Sequence, residues 1–116
     1  MSTELNVKDV TGLDPNGNQC LSTGFITVHR HLELVDSVPT YHDTQFDARD
    51  IQNMIVFTGT AEEVVAYVNE YYNGEDMEKD YVELDAETKQ ELEEELIARE
   101  KLYSFFKEAR KRQQQK

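Results

Sequence analysis

Residues 51–74, IQNMIVFTGTAEEVVAYVNEYYNG, decide the fold class, because two periodicities meet there. Met54 to Phe57 is a compact apolar run, which predicts a buried strand over about 51–58. An amphipathic helix follows over about 60–73. Thr60 and Glu63 stand three apart as a capping box, each side chain able to satisfy a free amide of the first turn. Ala61, Val64, Val65, Val68, Tyr71 and Tyr72 recur at helical spacing on one face, and Gly74 offers the left-handed stop. A strand feeding directly into such a helix points to a mixed fold.

Upstream, residues 24–35 (GFITVHRHLELV) alternate. Ile26, Val28, Leu32 and Leu34 share one face, interrupted by Arg30, while Phe25, Thr27, His29, His31 and Glu33 share the other. Period two predicts a half-buried strand. LDPNGNQ contains a turn signal at Asp14-Pro15-Asn16-Gly17, and the flanking segments ELNVKDV and CLSTGFITV are expected to pair as a hairpin. Residues 36–50, DSVPTYHDTQFDARD, show no clear period and contain Pro39 and four aspartates. They read as a loop with at most a short strand near Tyr41, long enough to imply a function or a hidden element. Downstream, Tyr81–Leu84 reads as a short strand, so that strand, helix and strand would form a crossover unit. Asp85 then caps a last helix over 86–113.

The expected fold is therefore α+β: a small, mostly antiparallel or mixed sheet, one amphipathic helix and a long C-terminal helix. Residues 1–85 form the body and residues 86–116 the helix with its basic tail, treated as a single domain at this length.

Charge separates the two parts. Of the net charge of −12, residues 1–100 carry −17 and residues 101–116 carry +5. An acidic body repels phosphate backbones, which argues against direct nucleic-acid binding. Cys20 is the only cysteine, so an internal disulfide and a four-cysteine zinc site are both excluded. MSTELNVKDV has neither the basic lead nor the apolar run of a signal peptide, and no eighteen apolar residues occur together. No membrane contact and a cytoplasmic location are expected.

Catalytic chemistry has little to work with. Cys20 has no cationic sequence neighbour to activate it, and Ser22, Ser37 and Ser104 lack a nucleophile-elbow context. FTGTAEE resembles a strand-to-helix anion site, but it holds one glycine, and Glu62 and Glu63 would repel phosphate. A non-enzymatic protein without a cofactor is the expectation. His29 and His31 lie about 7 Å apart on one side of a strand, where His42, Asp43 or Asp47 would be needed to complete a metal site. A His-x-His pair alone is a weak signal, and a solvated polar face explains it as well. The acidic residues Asp43, Asp47, Asp50, Glu75, Asp76, Glu78, Asp80 and Glu83 allow a second alternative. A surface of carboxylates can imitate the charge field of DNA, as in a mimic of viral or mobile-element origin that inhibits a nucleic-acid-binding protein. Ordinary solubilising charge is the plainer account.

The last helix carries the preferred reading. Leu92, Leu96, Arg99, Tyr103, Phe106 and Arg110 form one stripe, and Ala98, Leu102, Phe105 and Ala109 a second. About 28 residues at roughly 1.5 Å each span ~42 Å, more than the ~35 Å diameter of a compact body of this size. The aromatic end then needs a cover: its own sheet, a second copy, or a groove on another protein. The chain is expected to be a small acidic protein-binding module with a regulatory, inhibitory or assembly role. Leu96, Leu102, Tyr103, Phe105 and Phe106 would make the contacts, and Lys107, Arg110, Lys111 and Arg112 would orient the partner, another protein or a second copy.

Overall fold

The computed structural model describes residues 4–114. Its elements are α1 (Val7–Thr11), β1 (Gln19–Ser22), β2 (Thr27–Val35), β3 (Val38–Arg49), β4 (Ile55–Thr60), α2 (Ala61–Tyr72), β5 (Asp80–Glu83) and α3 (Ala86–Gln114). The strands form one five-stranded sheet in the order β4-β3-β2-β1-β5, with every neighbouring pair antiparallel. α1 and α2 cover one face and α3 crosses the other. The expected α+β class is what the chain adopts.

α2 forms where the capping box placed it. Glu63 N–H donates to Thr60 Oγ1 at 3.3 Å, and Glu63 Oε1 accepts from Thr60 N–H at 3.1 Å. The helix ends one residue before Gly74: Asn73 takes the left-handed conformation at φ 48°, its short polar side chain tolerating it. Ala61, Val64, Val68 and Tyr72 are buried against Leu21, Ile26, Val28, Phe46 and Ala48, while Tyr71, expected on this face, is exposed. The Tyr72 hydroxyl donates to the Thr23 carbonyl and accepts from Phe25 N–H at 2.8 Å, tying the end of α2 to the β1–β2 turn.

Four expectations are corrected. ELNVKDV does not pair as a strand: Asp9 Oδ2 accepts from Asn6 N–H at 2.9 Å and starts α1 instead. Leu5, Val10 and Leu13 then enter the core, and the Asn69 amide bonds both main-chain groups of Leu5. Residues 36–50 are not a loop, since β3 pairs on both sides, with β2 and with β4. β4 is an edge strand rather than a buried one. Met54, Ile55 and Val56 are exposed, and residues 51–54 form a turn in which Asp50 Oδ1 accepts from Gln52 and Met54 N–H. Finally, β4 and β5 lie at opposite edges of the sheet, so the strand–helix–strand segment joins the two edges and its strands are not neighbours.

The alternation read in β2 holds only to its middle. Val28 and Arg30 face the α2 side, but the register slips between Arg30 and Leu32. Beyond that bulge Leu32 and Leu34 face α3, lining space with Leu92 and Ile97 respectively. Between the pairs at Arg30 and Leu32, β2 has one residue, His31, and β3 has four, 42–45, so the regular pairing is interrupted where the apolar set changes face. Arg30 itself is buried. Its guanidinium stacks 4.9 Å from the Phe46 ring and donates to the carbonyls of Leu13, Asp14, His42 and Asp43.

Gly17 closes the Asp14–Gly17 turn with φ +74°, its N–H donating to the Asp14 carbonyl at 3.0 Å. A Cβ there would lie 2.2 Å from the Tyr41 ring. The turn thus lets Tyr41 lie under the start of α3.

Candidate functional site

α3 is anchored along its first half. Asp85 caps it, its Oδ1 accepting from Thr88 N–H at 2.7 Å, and that hydrogen bond holds the carboxyl below its usual range. Lys89 lies 5.3 Å over the Tyr41 ring and donates to Asn18 Oδ1 at 2.8 Å. The Tyr41 hydroxyl donates to Glu93 Oε1 at 3.1 Å; burial first, then the neighbouring carboxylate, raises its pKa. Leu84 and Leu92 close over His29. At about 100° per residue, Lys89, Leu92, Glu93 and Leu96 occupy one arc roughly 100° wide, which is the face turned to the sheet.

Past Ile97 the helix leaves the sheet. Among the described residues, no hydrogen bond or ion pair joins 98–112 to the strands; Arg99 pairs with Glu95 of the same helix at 2.5 Å. An open groove of about 610 Å³ separates this half from the β2–β3 turn, with Leu34 and Ser37 on one wall and Ile97, Ser104 and Phe105 on the other. Leu102, Tyr103, Phe105 and Phe106 are 56%, 68%, 66% and 60% exposed. The stripe of Tyr103, Phe106 and Arg110 continues the sheet-facing side beyond the sheet. The other stripe, Ala98, Leu102, Phe105 and Ala109, is centred about 160° away from the anchored arc, and its Phe105 also forms part of the groove wall facing the β2–β3 turn. Leu96 differs from the other proposed contacts in being half-buried. Lys107, Arg110, Lys111 and Arg112 are exposed around the rings.

The acidic alternative loses part of its surface. Asp47 is 2% exposed, and its Oδ1 accepts from Thr58 Oγ1 at 2.7 Å and lies 2.9 Å from His31 Nδ1. Asp50 is committed to the 51–54 turn. Glu83 accepts from Gln19 at 2.7 Å, while Asp43, Glu75, Asp76, Glu78 and Asp80 are exposed.

The histidines are brought near one another without forming a ligand set. His31 and His42 rings lie 6.4 Å apart. His29 is half-buried beside Arg49, and burial, then the guanidinium charge, lowers its pKa to about 4. Among the described residues no three His, Cys, Asp or Glu side chains are placed to hold a metal ion. Cys20 is buried and unpaired, and burial pushes its thiol up, the opposite of an activated nucleophile.

A second exposed apolar surface escaped the sequence reading. Phe25, Ile51, Met54 and Val56 are exposed at 60%, 78%, 54% and 42%, around the β4 edge and its preceding turn. The signal was present as the run Met54 to Phe57, which an edge strand leaves half in water.

Compared with known protein families, with curated proteins and with solved structures, the chain matches none of them at a significant level. The fold and site define an α+β body carrying an overreaching helix with an uncovered aromatic end. Among the described residues no helix is long and apolar enough to cross a membrane.

Proposed function

We propose that this chain is a non-enzymatic protein-binding module whose docking element is the far half of α3. One observation supports this above all: four large apolar side chains, Leu102, Tyr103, Phe105 and Phe106, stand 56–68% exposed on a helix that has already left its own sheet. Rings in water are the usual sign of an interface, and basic residues around them would steer an acidic surface toward it. The role is regulatory, inhibitory or assembly-directed, in the cytoplasm, where a lone free thiol such as Cys20 suits the reducing milieu.

The double variant Phe105→Ala/Phe106→Ala tests the reading. The variant should unfold within a few degrees of the wild type, because it removes little buried area. Immobilised beside the wild type and exposed to the same cell extract, it should fail to retain a protein that the wild type retains. A loss of about 10 °C in unfolding temperature would instead make the rings part of the chain's own core.

A further inference from the structure

We propose that the partner of the aromatic helix end is a second copy of this chain, with the two α3 helices paired antiparallel. This rests on the reading of that end as a docking surface and commits it to one occupant. The stripe opposite the anchored arc extends further than its apolar part. Glu91, Glu95, Ala98, Leu102, Phe105, Ala109 and Arg112 follow one another at spacings of four and three, the pattern of a coiled-coil seam. It is acidic at one end, apolar in the middle and basic at the other.

Antiparallel pairing makes that seam self-complementary in one register. When Leu102 of one copy meets Phe105 of the other, Ala98 meets Ala109 and Glu95 meets Arg112, each twice by symmetry. Large side chains then fill the centre, while paired alanines let the backbones approach on either side. Lys101 faces Glu108 of the second copy along the flank. A parallel, in-register pair would set Glu95 against Glu95 and Arg112 against Arg112, which repels at both ends.

Charge at the two ends of the overlap favours the same arrangement. In this register residues 109–112 of one copy, net +3, lie alongside residues 95–98 of the other, whose one charge is Glu95. Glu95 and Arg112 are both exposed, Glu95 pairing with Arg99 of its own helix and lying near enough to Arg49 of β3 to interact with its charge. With Leu102, Phe105 and the flanking Phe106 at 56%, 66% and 60% exposed and about 200 Å² per large side chain, a copy offers roughly 360 Å², so these side chains bury about 700 Å² in a pair, at the small end of interfaces.

Sedimentation velocity and light scattering on the full chain supply the test. Wild type should have the mass of a dimer at micromolar concentrations, and Phe105→Ala/Phe106→Ala the mass of a folded monomer. Glu95→Arg or Arg112→Glu alone should weaken the dimer about tenfold, and the two together should restore it to within about threefold. A double variant as weak as the sum of its parts overturns the register. In a Cys20→Ala background, Ala98→Cys/Ala109→Cys should crosslink two chains under mild oxidant while Ala98→Cys alone should not; the reverse result overturns the antiparallel arrangement. A wild-type chain that remains monomeric to about 0.5 mM overturns the second-copy proposal but leaves the docking surface standing, provided the ring variant stays folded. If the ring variant unfolds, the docking reading itself fails.

Discussion

Arg30 stands in the middle of β2, where the strand's alternation asks for an apolar side chain, and its guanidinium makes four hydrogen bonds to main-chain carbonyls from two separate segments. The Leu13–Asp14 turn and the bulged stretch at His42–Asp43 are thereby fastened to the sheet, with the Phe46 ring beneath the guanidinium. Removing it strands those acceptors in a place water does not reach easily. Arg30→Leu should cost about 3 kcal/mol in urea unfolding at neutral pH, and Arg30→Lys should recover little, since an ammonium is a point donor and not a fork. A cost below about 1 kcal/mol would mean water replaces the fork. His29 supplies the pH dependence. Unfolded, it takes up a proton near the ordinary histidine value of 6.5; folded, burial and Arg49 hold it neutral to about 4. As pH falls through this window the unfolded chain binds the additional proton, so stability falls below about pH 6.5 and levels off below about 4. The loss should be about 2–3 kcal/mol, and His29→Gln should remove that part of the slope while the carboxylates' contribution remains. Identical wild-type and variant slopes between pH 6.5 and 4 would refute this assignment.

At the scale of elements, legibility followed chemistry. α2 and α3 were readable because their caps and apolar spacings are local: Thr60 with Glu63, and Asp85 before a run of strong helix formers. β3 was not, for two physical reasons. Its hairpin turn with β2 uses Asp36 and Ser37 at φ 52° and 67°, the left-handed pair normally announced by Asn-Gly or Asp-Gly. Its α3 face is polar but internally satisfied, with Asp47 meeting His31 and Thr58, so no apolar alternation marks the strand. The exposed rings were legible as residues, since aromatic spacing shows in the sequence, but their direction was not: only the placement of the sheet reveals which stripe lies opposite the anchored arc. The two halves of α3 should therefore separate in function. A chain ending after Glu100 keeps the Tyr41, Asn18, Leu84 and Leu92 contacts, and should unfold within about 3 °C of the full chain. It should also lose self-association altogether. A collapse of the truncated chain, followed by circular dichroism, would show that the far half supports the sheet after all.

The whole molecule is longer than its residue count requires. Its radius of gyration is 16.6 Å and its extents are 64 × 29 × 23 Å, against about 13 Å expected for a compact chain of this size. The excess is α3, which carries the basic end of the chain away from an acidic body. In an isolated copy those opposite charges are held apart by a stiff rod, and neither end can satisfy the other. The proposed pairing would set Arg112 of each copy against Glu95 of the other and cover Leu102 and Phe105 in one step. That arrangement has a definite length. The proposed centre, between Leu102 and Phe105, lies about 10 residues, or roughly 16 Å, from the end of the helix. Two copies of a 64 Å molecule overlapping by that amount on each side should span about 95 Å, with a mass-bearing lobe at either end. Small-angle scattering at dimer concentrations should give that maximum dimension and a two-lobed distance distribution. The Phe105→Ala/Phe106→Ala variant should fall back to the single-copy length. Added salt should shift the distribution only part of the way, because it screens the flanking charges and leaves the ring contacts in place. A dimer no longer than about 65 Å would place the bodies side by side, and would refute an antiparallel seam centred on the rings.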